Sequence, residues 1–410
     1  MLLTEDGKVL NGETAQEGLP EDAMFVSVHS SYKETASAAL DNKGNMWVWG
    51  VYTPLFFGYS IRETAKVPWC PPSRVPYNQF DGRVVQKIAL GNVNAGVIAS
   101  GCLYMCGWRE GGRLGYTVPT RLHFREGTMT KMQHVPIKDE RSEDVPIMDI
   151  AIGRQSSGVV GCDGSVWTYG PNFEGECGTG DRKTCKIPTR VLLIDAIGDN
   201  RRDAVFRAKQ ISMHSHSVVV ASDGSVNVWG NNHFGQLGLG DDKELTCLLP
   251  VFLPCVPMRS AACGWKHTLF LTNEGDVFAC GCNGHGALGL GARPKTAATY
   301  TYAPTLWYAP TRVVGVRNVV SVAAACGTSV AATSGGAVFQ WGLHRDQEMH
   351  MPELLRLQMR VGLGRSMMSE MALALAMSTH KRLGARSPVS VLCTDTIRKL
   401  AEAWEVCPPY

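Results

Sequence analysis

Apolar residues in this chain come in short bursts, interleaved with polar or small ones, and the bursts stop at glycine. Ser225-Val226-Asn227-Val228-Trp229 is the clearest case. Small or polar side chains fall on one face and apolar ones on the other, the period-two pattern of a half-buried strand. Asp223-Gly224 before it reads as a tight turn, because glycine accepts the positive φ that a two-residue hairpin needs. Gly235-Gln236-Leu237-Gly238-Leu239-Gly240-Asp241 then turns the chain away.

The pattern repeats. A turn, a short alternating strand and an aromatic or Cys before Gly recur at Trp49-Gly50, Cys106-Gly107, Tyr169-Gly170, Trp229-Gly230, Cys280-Gly281 and Trp341-Gly342. A degenerate seventh copy opens the chain between Leu3 and Gly12. Before most hairpins lies an apolar strand ending in Gly, as in Ile88-Ala89-Leu90-Gly91 or Ala261-Ala262-Cys263-Gly264. The period, roughly 50–60 residues, is that of a four-stranded blade. The expected fold is therefore all-β, a seven-bladed β-propeller with four-stranded blades, which leaves few free sheet edges. The first copy lacks its apolar strand. Residues 352–365, which include Arg360-Val361-Gly362-Leu363-Gly364, are expected to supply it and close the ring. Residues 1–373 would form the propeller and 374–410 an extension; 366–383 reads equally as strand or helix. A short helix is expected at about 395–406, capped by Thr394 or Asp395 and barred by Pro408.

Composition narrows the picture little. The net charge of +3 over 410 residues does not suggest nucleic acid as the main partner. The 14 cysteines form no secreted-type framework and several sit in repeat strands, so a reducing intracellular setting, cytoplasmic or nuclear, is expected. No apolar run is long enough to cross a membrane, and no leader segment is evident.

The succession Ala262-Cys263-Gly264-Trp265-Lys266-His267-Thr268, then Leu271-Thr272, then a turn, strand and Gly-rich loop, resembles the regulator of chromosome condensation repeat. That resemblance covers about residues 1–373 and implies a seven-bladed propeller. In the family's exchange factor, one propeller face contacts a small GTPase and expels its nucleotide. Histidines of this repeat position contribute, so the resemblance makes His216 and His267 candidates for an exchange face. Gly264-Trp265-Lys266-His267-Thr268 also resembles the repeat of a plant ultraviolet-B photoreceptor. A single Trp copy, with Lys beside it, implies a packing or surface residue rather than light sensing.

Enzyme signatures are weak. Gly284-His285-Gly286-Ala287-Leu288-Gly289 matches a dinucleotide fingerprint, but no helix is expected after it, and the neighbouring repeat has the same turn. Cys102 with Cys106, and Cys280 with Cys282, lack a second pair for zinc. No catalytic residue, metal or cofactor is expected.

Three insertions interrupt the repeats: 116–146, 195–209 and the stretch after Gly291. The third carries Arg293, Lys295, Tyr300, Tyr302, Trp307, Tyr308 and Arg312, and no Asp or Glu falls between Val277 and Arg345. Cations interleaved with aromatic rings suit a protein surface or a nucleic-acid strand, or they pack the loop on its own blade. The reading that follows is a non-catalytic interaction propeller acting as a scaffold or subunit through its insertions. The alternative is a guanine nucleotide exchange factor for a small GTPase, and chromatin or nucleic-acid association stands third.

Overall fold

The computed structural model describes residues 2–3, 8–11, 14–31, 36–50, 69–91, 93–117, 128–192, 207–243, 245–250, 256–291, 306–335, 337–344 and 347–354. Among them are six four-stranded antiparallel sheets and one three-stranded sheet. Blade 1 comprises Phe25–Ser30, Ala36–Asp41, Met46–Gly50 and Cys70–Arg74. Blade 2 comprises Val85–Leu90, Asn94–Ala99, Cys102–Trp108 and Thr128–Val135. Blade 3 is Ile147–Ile152, Ser157–Gly161, Val166–Gly170 and Cys185–Val191; blade 4 is Ala208–Met213, His216–Ala221, Val226–Gly230 and Leu245–Pro250. Blade 5 is Met258–Cys263, His267–Thr272, Val277–Cys282 and Leu306–Arg312; blade 6 is Val319–Ala325, Thr328–Thr333, Val338–His344 and Gln347–Leu354.

Each blade is a meander, and the first strands of successive blades touch one another, so they line the axis. Side chains there clip neighbours together. Gln210 on blade 4 donates to the Ala261 carbonyl at 2.9 Å and accepts the Ala261 N–H at 3.0 Å. Asp149 on blade 3 accepts the Ile211 N–H of blade 4 at 2.9 Å and pairs with Lys87 of blade 2 at 2.8 Å.

The expected half-buried strands are buried on both faces. Val226–Gly230 and His216–Ala221 are buried along their whole length. The reason is radial packing: each blade is sandwiched between two others, so alternate residues enter different cores. Val218 and Val220 pack with Phe270 of blade 5, whereas Val219 packs with Val160 of blade 3. Asn227, read as solvent-facing, is 1 % exposed.

The aromatic-Gly ending has a specific cause. At Gly230 the pairing with the outer strand slips, φ is +100°, and an added Cβ would lie 2.9 Å from the His216 Cα. A bulge pressed against the neighbouring backbone admits only glycine there.

Seven four-stranded blades are not what the described residues form. Leu2–Leu3, Val9–Asn11 and Thr14–Ala15 make the seventh sheet, of three strands. Leu2–Leu3 contacts the first strand of blade 1, as the second strand of each of blades 1 to 5 contacts the first strand of the next. The sheet thus holds the second to fourth places of a blade. Pro352, Glu353 and Leu354, assigned from sequence to the closing segment, instead end the outer strand of blade 6, where Leu354 pairs with Phe339. Residues 355–365, the 366–383 segment and the expected helix at 395–406 lie outside the described residues.

Two insertions are shorter than they read. Thr128–Val135, placed inside the first, is the outer strand of blade 2, and Leu306–Arg312, placed in the third, is the outer strand of blade 5. Both fill a fourth-strand position whose sequence diverges most between repeats. No helix among the described residues is long and apolar enough to cross a membrane.

Candidate functional site

In a four-stranded meander the loops after strands 1 and 3 emerge on one face, and the Asp-Gly turn after strand 2 on the other. On the first face, blades 3 to 5 present matched Gly-rich loops. Each is braced by one asparagine. Asn172, Asn232 and Asn283 accept the N–H of Cys177, Leu237 and Leu288 at 2.8, 3.0 and 2.9 Å. Their amides donate across the loop to the carbonyls of Asp181, Asp241 and Gly291 at 2.8, 2.9 and 3.1 Å.

Each loop also locks onto the following blade through one carbonyl. The Glu176 carbonyl accepts Ser217 Oγ at 2.8 Å and Trp229 Nε1 at 2.7 Å. The Gln236 carbonyl accepts Thr268 Oγ1 at 2.5 Å and the Cys280 thiol at 3.3 Å. The Ala287 carbonyl accepts Ser329 Oγ at 2.6 Å and Trp341 Nε1 at 2.9 Å. Hydroxyl donors from strand 2 and ring or thiol donors from strand 3 of one blade thereby hold the loop of the blade before it.

His216 and His267 belong to this lock. His216 Nε2 lies 2.8 Å from Thr268 Oγ1, and His267 Nε2 lies 2.9 Å from Ser329 Oγ. Each hydroxyl has already given its one proton to a carbonyl, so it must accept from the imidazole. Both rings therefore carry their proton on Nε2. Burial holds both neutral, lowering the His267 pKa to about 4 and that of His216 well below its usual value. Exposure is 0 % for His216 and 1 % for His267, so these rings reach the neighbouring blade and not the surface. The Gly-x-x-His spacing is steric as well: a Cβ on Gly264 would sit 2.1 Å from the His267 ring.

Blade 3 departs from the pattern at Glu176, which stands where blade 4 has Gln236. Gln236 Oε1 accepts the Phe234 N–H at 2.9 Å, and Glu176 Oε2 likewise accepts the Glu174 N–H at 2.7 Å. Burial, reinforced by the Glu174 carboxylate nearby, raises the Glu176 pKa.

Above the locked loops lies an exposed group. Lys266 Nζ sits 4.2 Å from the Phe234 ring centroid and 4.6 Å from that of Trp265, so a blade 5 cation is held between rings of blades 4 and 5. Trp265 is 43 % exposed, and Phe173, on the blade 3 loop at the position matching His233, is 60 % exposed. Trp265 is thus a surface residue.

Of the basic-aromatic residues singled out by sequence, Trp307, Tyr308 and Arg312 lie on the outer strand of blade 5. Trp307 packs on the core between blades 5 and 6. Tyr308 lies against Gly235, and its carbonyl accepts the Gly240 N–H at 2.8 Å, fastening the blade 4 loop from outside. Arg312 pairs with Asp276 at 2.6 Å. Arg293, Lys295, Tyr300 and Tyr302 lie outside the described residues. Sequence reasoning passed over the three asparagines and the three hydroxyls. Their signal was present, as an Asn two residues after each of Gly170, Gly230 and Gly281, and as Ser or Thr at the start of each second strand.

The regulator of chromosome condensation (RCC1) repeat matches residues 223–271 and 274–332. The chain is 33 % identical over 190 residues to the secretion-regulating guanine nucleotide exchange factor of Bos taurus, covering 46 % of this chain and 37 % of that protein. It is 27 % identical over 261 residues to the ultraviolet-B receptor UVR8 of Arabidopsis thaliana, covering 62 % and 52 % of the two. The matches therefore span about a third to a half of those relatives. Among solved structures, Prp20p of Saccharomyces cerevisiae superimposes with a TM-score of 0.64 at 21 % identity, over 86 % of this chain and 83 % of that one. With its repeats, its meander blades and its loop-to-blade locks, this chain is an all-β propeller of four-stranded blades that carries the regulator of chromosome condensation repeat over residues 223–271 and 274–332.

Proposed function

We propose that the chain is a non-catalytic protein-interaction propeller, and that it engages protein through the face of blades 3 to 5 bearing Phe173, Phe234, Trp265 and Lys266. The observation that carries this reading is the exposed cation–aromatic group on loops already fixed by hydrogen bonds. Rigid aromatic anchors bind with little further loss of side-chain freedom, which is why they dominate protein interfaces. The buried histidines serve the fold, and the described residues hold no group of three or more side chains able to bind a metal.

The relatives favour a second reading, nucleotide exchange on a small GTPase. One is named an exchange factor, and Prp20p is described with its binding to Gsp1p. Exchange makes no covalent bond; the propeller would bind the nucleotide-free GTPase more tightly than the loaded form. His216 and His267, candidates for that role by family position, would then act by holding the loops, with Trp265, Lys266 and the two phenylalanines in contact.

Release of labelled GDP from a panel of small GTPases separates the readings. Acceleration that disappears in Trp265→Ala establishes exchange through this face. Capture of a partner without acceleration, again lost in Trp265→Ala and Phe173→Ala, establishes the scaffold. Capture or exchange undiminished in both variants refutes the face.

A further inference from the structure

Blade 3 places two cysteines at a pair of positions that meet in the fold. The Gly-rich loops bury a leucine at Leu114, Leu237 and Leu288, and blade 3 has Cys177 there, also fully buried. The outer strand faces the bulge glycine with Cys70 in blade 1, Met129 in blade 2, Leu245 in blade 4, Trp307 in blade 5 and Met349 in blade 6, and blade 3 has Cys185 opposite Gly170. These two positions meet in the fold: Leu288 and Trp307 share one core cluster in blade 5, as Cys177 and Cys185 do in blade 3. Cys177 Sγ lies 3.8 Å from the carbonyl of Gly170, the residue that Cys185 faces across the ladder. The two thiols are neighbours, close enough for each to shift the pKa of the other. Cys185 is at the outer end, 9 % exposed, and its sulfur also lies 3.7 Å from the Lys183 carbonyl.

We propose that Cys177 and Cys185 are a redox-modification site, closing to a reversible disulfide when the protein meets a hydroperoxide. The neighbouring Cys177 thiol lowers the Cys185 pKa, which favours the thiolate there, while Cys185 and burial raise that of Cys177. The nucleophile is therefore the outer sulfur. The Cys185 thiolate attacks one peroxide oxygen, the O–O bond breaks, and the departing oxygen takes a proton and leaves as water. The Cys177 sulfur then attacks the sulfenic sulfur of Cys185; the S–O bond breaks, and the oxygen leaves as a second water with the Cys177 proton. One S–S bond forms, the two thiols lose two electrons and two hydrogens, and hydrogen peroxide is reduced to two waters. A thiol reductant reverses the step by exchange. The bond would pin the end of the loop bearing Phe173 and Glu176 to the outer strand of its own blade. The inference stands apart from any partner on the exposed face.

The test uses the full chain, reduced and then titrated with hydrogen peroxide, trapped with an alkylating agent and digested without reductant. The expected product is a peptide pair joined through Cys177 and Cys185, lighter by two hydrogens and restored by dithiothreitol. Exposed Cys162 serves as the lone-thiol control. Cys177→Ser is expected to halt Cys185 at the sulfenic acid, trapped by dimedone. Should that variant fold poorly, phenylarsine oxide answers on the wild-type protein, since trivalent arsenic bridges only neighbouring thiols; it should bind and block peroxide cross-linking. Both cysteines remaining alkylatable after Cys162 is oxidised would overturn the proposal, as would Cys185 accumulating as a sulfenic acid in the wild-type chain or an arsenical that leaves both thiols free.

Discussion

Replacing Glu176 with Gln should stabilise the propeller, and the gain should depend on pH. The substitution writes into blade 3 the residue blade 4 already uses at that point. Glu176 is 3 % exposed, its Oε2 accepts one backbone N–H at 2.7 Å, its Oε1 lies 3.3 Å from Ser156 Oγ, and the Glu174 carboxylate is close by. Ionised, it is a buried charge without a cation in that set. Glutamine keeps the N–H···O bond and offers its amide to Ser156, whose proton goes to the Pro171 carbonyl. The sign follows from the raised pKa. Above it the folded state must hold the charge and loses stability; below the ordinary value of 4.5 the carboxyl is neutral both folded and unfolded. Glu176→Gln should therefore gain on the order of 1–3 kcal/mol at pH 7.5, the cost range of a poorly satisfied buried polar group. The gain should shrink toward zero by about pH 4. With an unfolding entropy of about 2.1 cal/mol/K per residue, each kcal/mol is worth roughly 1 °C in Tm for a chain of this length. Paired thermal melts of wild type and variant at the two pH values suffice. A variant no more stable at pH 7.5, or one whose advantage persists unchanged at pH 4, refutes the reasoning.

The inter-blade lock gives three further predictions. Thr268→Val keeps shape but removes the donor to the Gln236 carbonyl and leaves His216 Nε2–H unpartnered, so urea melts should show a loss of about 2–4 kcal/mol, with most of it absent in a His216→Leu background. Gly264→Ala should cost about 3 kcal/mol or prevent folding, because its Cβ would enter the His267 ring; a variant of wild-type Tm would refute the contact. On the acid side, His267 contributes stability that is complete above about pH 6.5 and is lost as pH falls toward 4. His267→Gln should flatten that limb, by up to about 1.4 kcal/mol per pH unit over the interval.

The repeat was legible because its marks are backbone requirements. Gly230 and its counterparts must be glycine at a bulge, and Asp223-Gly224 must turn, so the blades could be located from sequence. What escaped has physical reasons too. Outer strands such as Leu306–Arg312 face their neighbours less tightly, so their sequences drift and read as insertions. Burial on both faces was missed because alternation at Ser225–Trp229 cannot tell solvent from a second blade, and Asn227 is small enough to enter a core. For the site, His216 and His267 were visible as motif residues, yet their direction was not. That was decided by Thr268 and Ser329 on the neighbouring blade, more than fifty positions away. Phe173 and Trp265 had no periodic signature at all; only the fold shows them exposed.

The shared carbonyls also define what can be transplanted. Glu176, Gln236 and Ala287 each belong to one blade, but their two donors belong to the next. A blade exchanged whole would carry a loop matched to a lost neighbour and donors matched to a lost loop, breaking two junctions. The interchangeable cassette runs instead from a Gly-rich loop through the third strand of the following blade. Chimeras cut ahead of Asn172 or Asn232 should tolerate foreign repeats, whereas cuts at the visible blade borders should not.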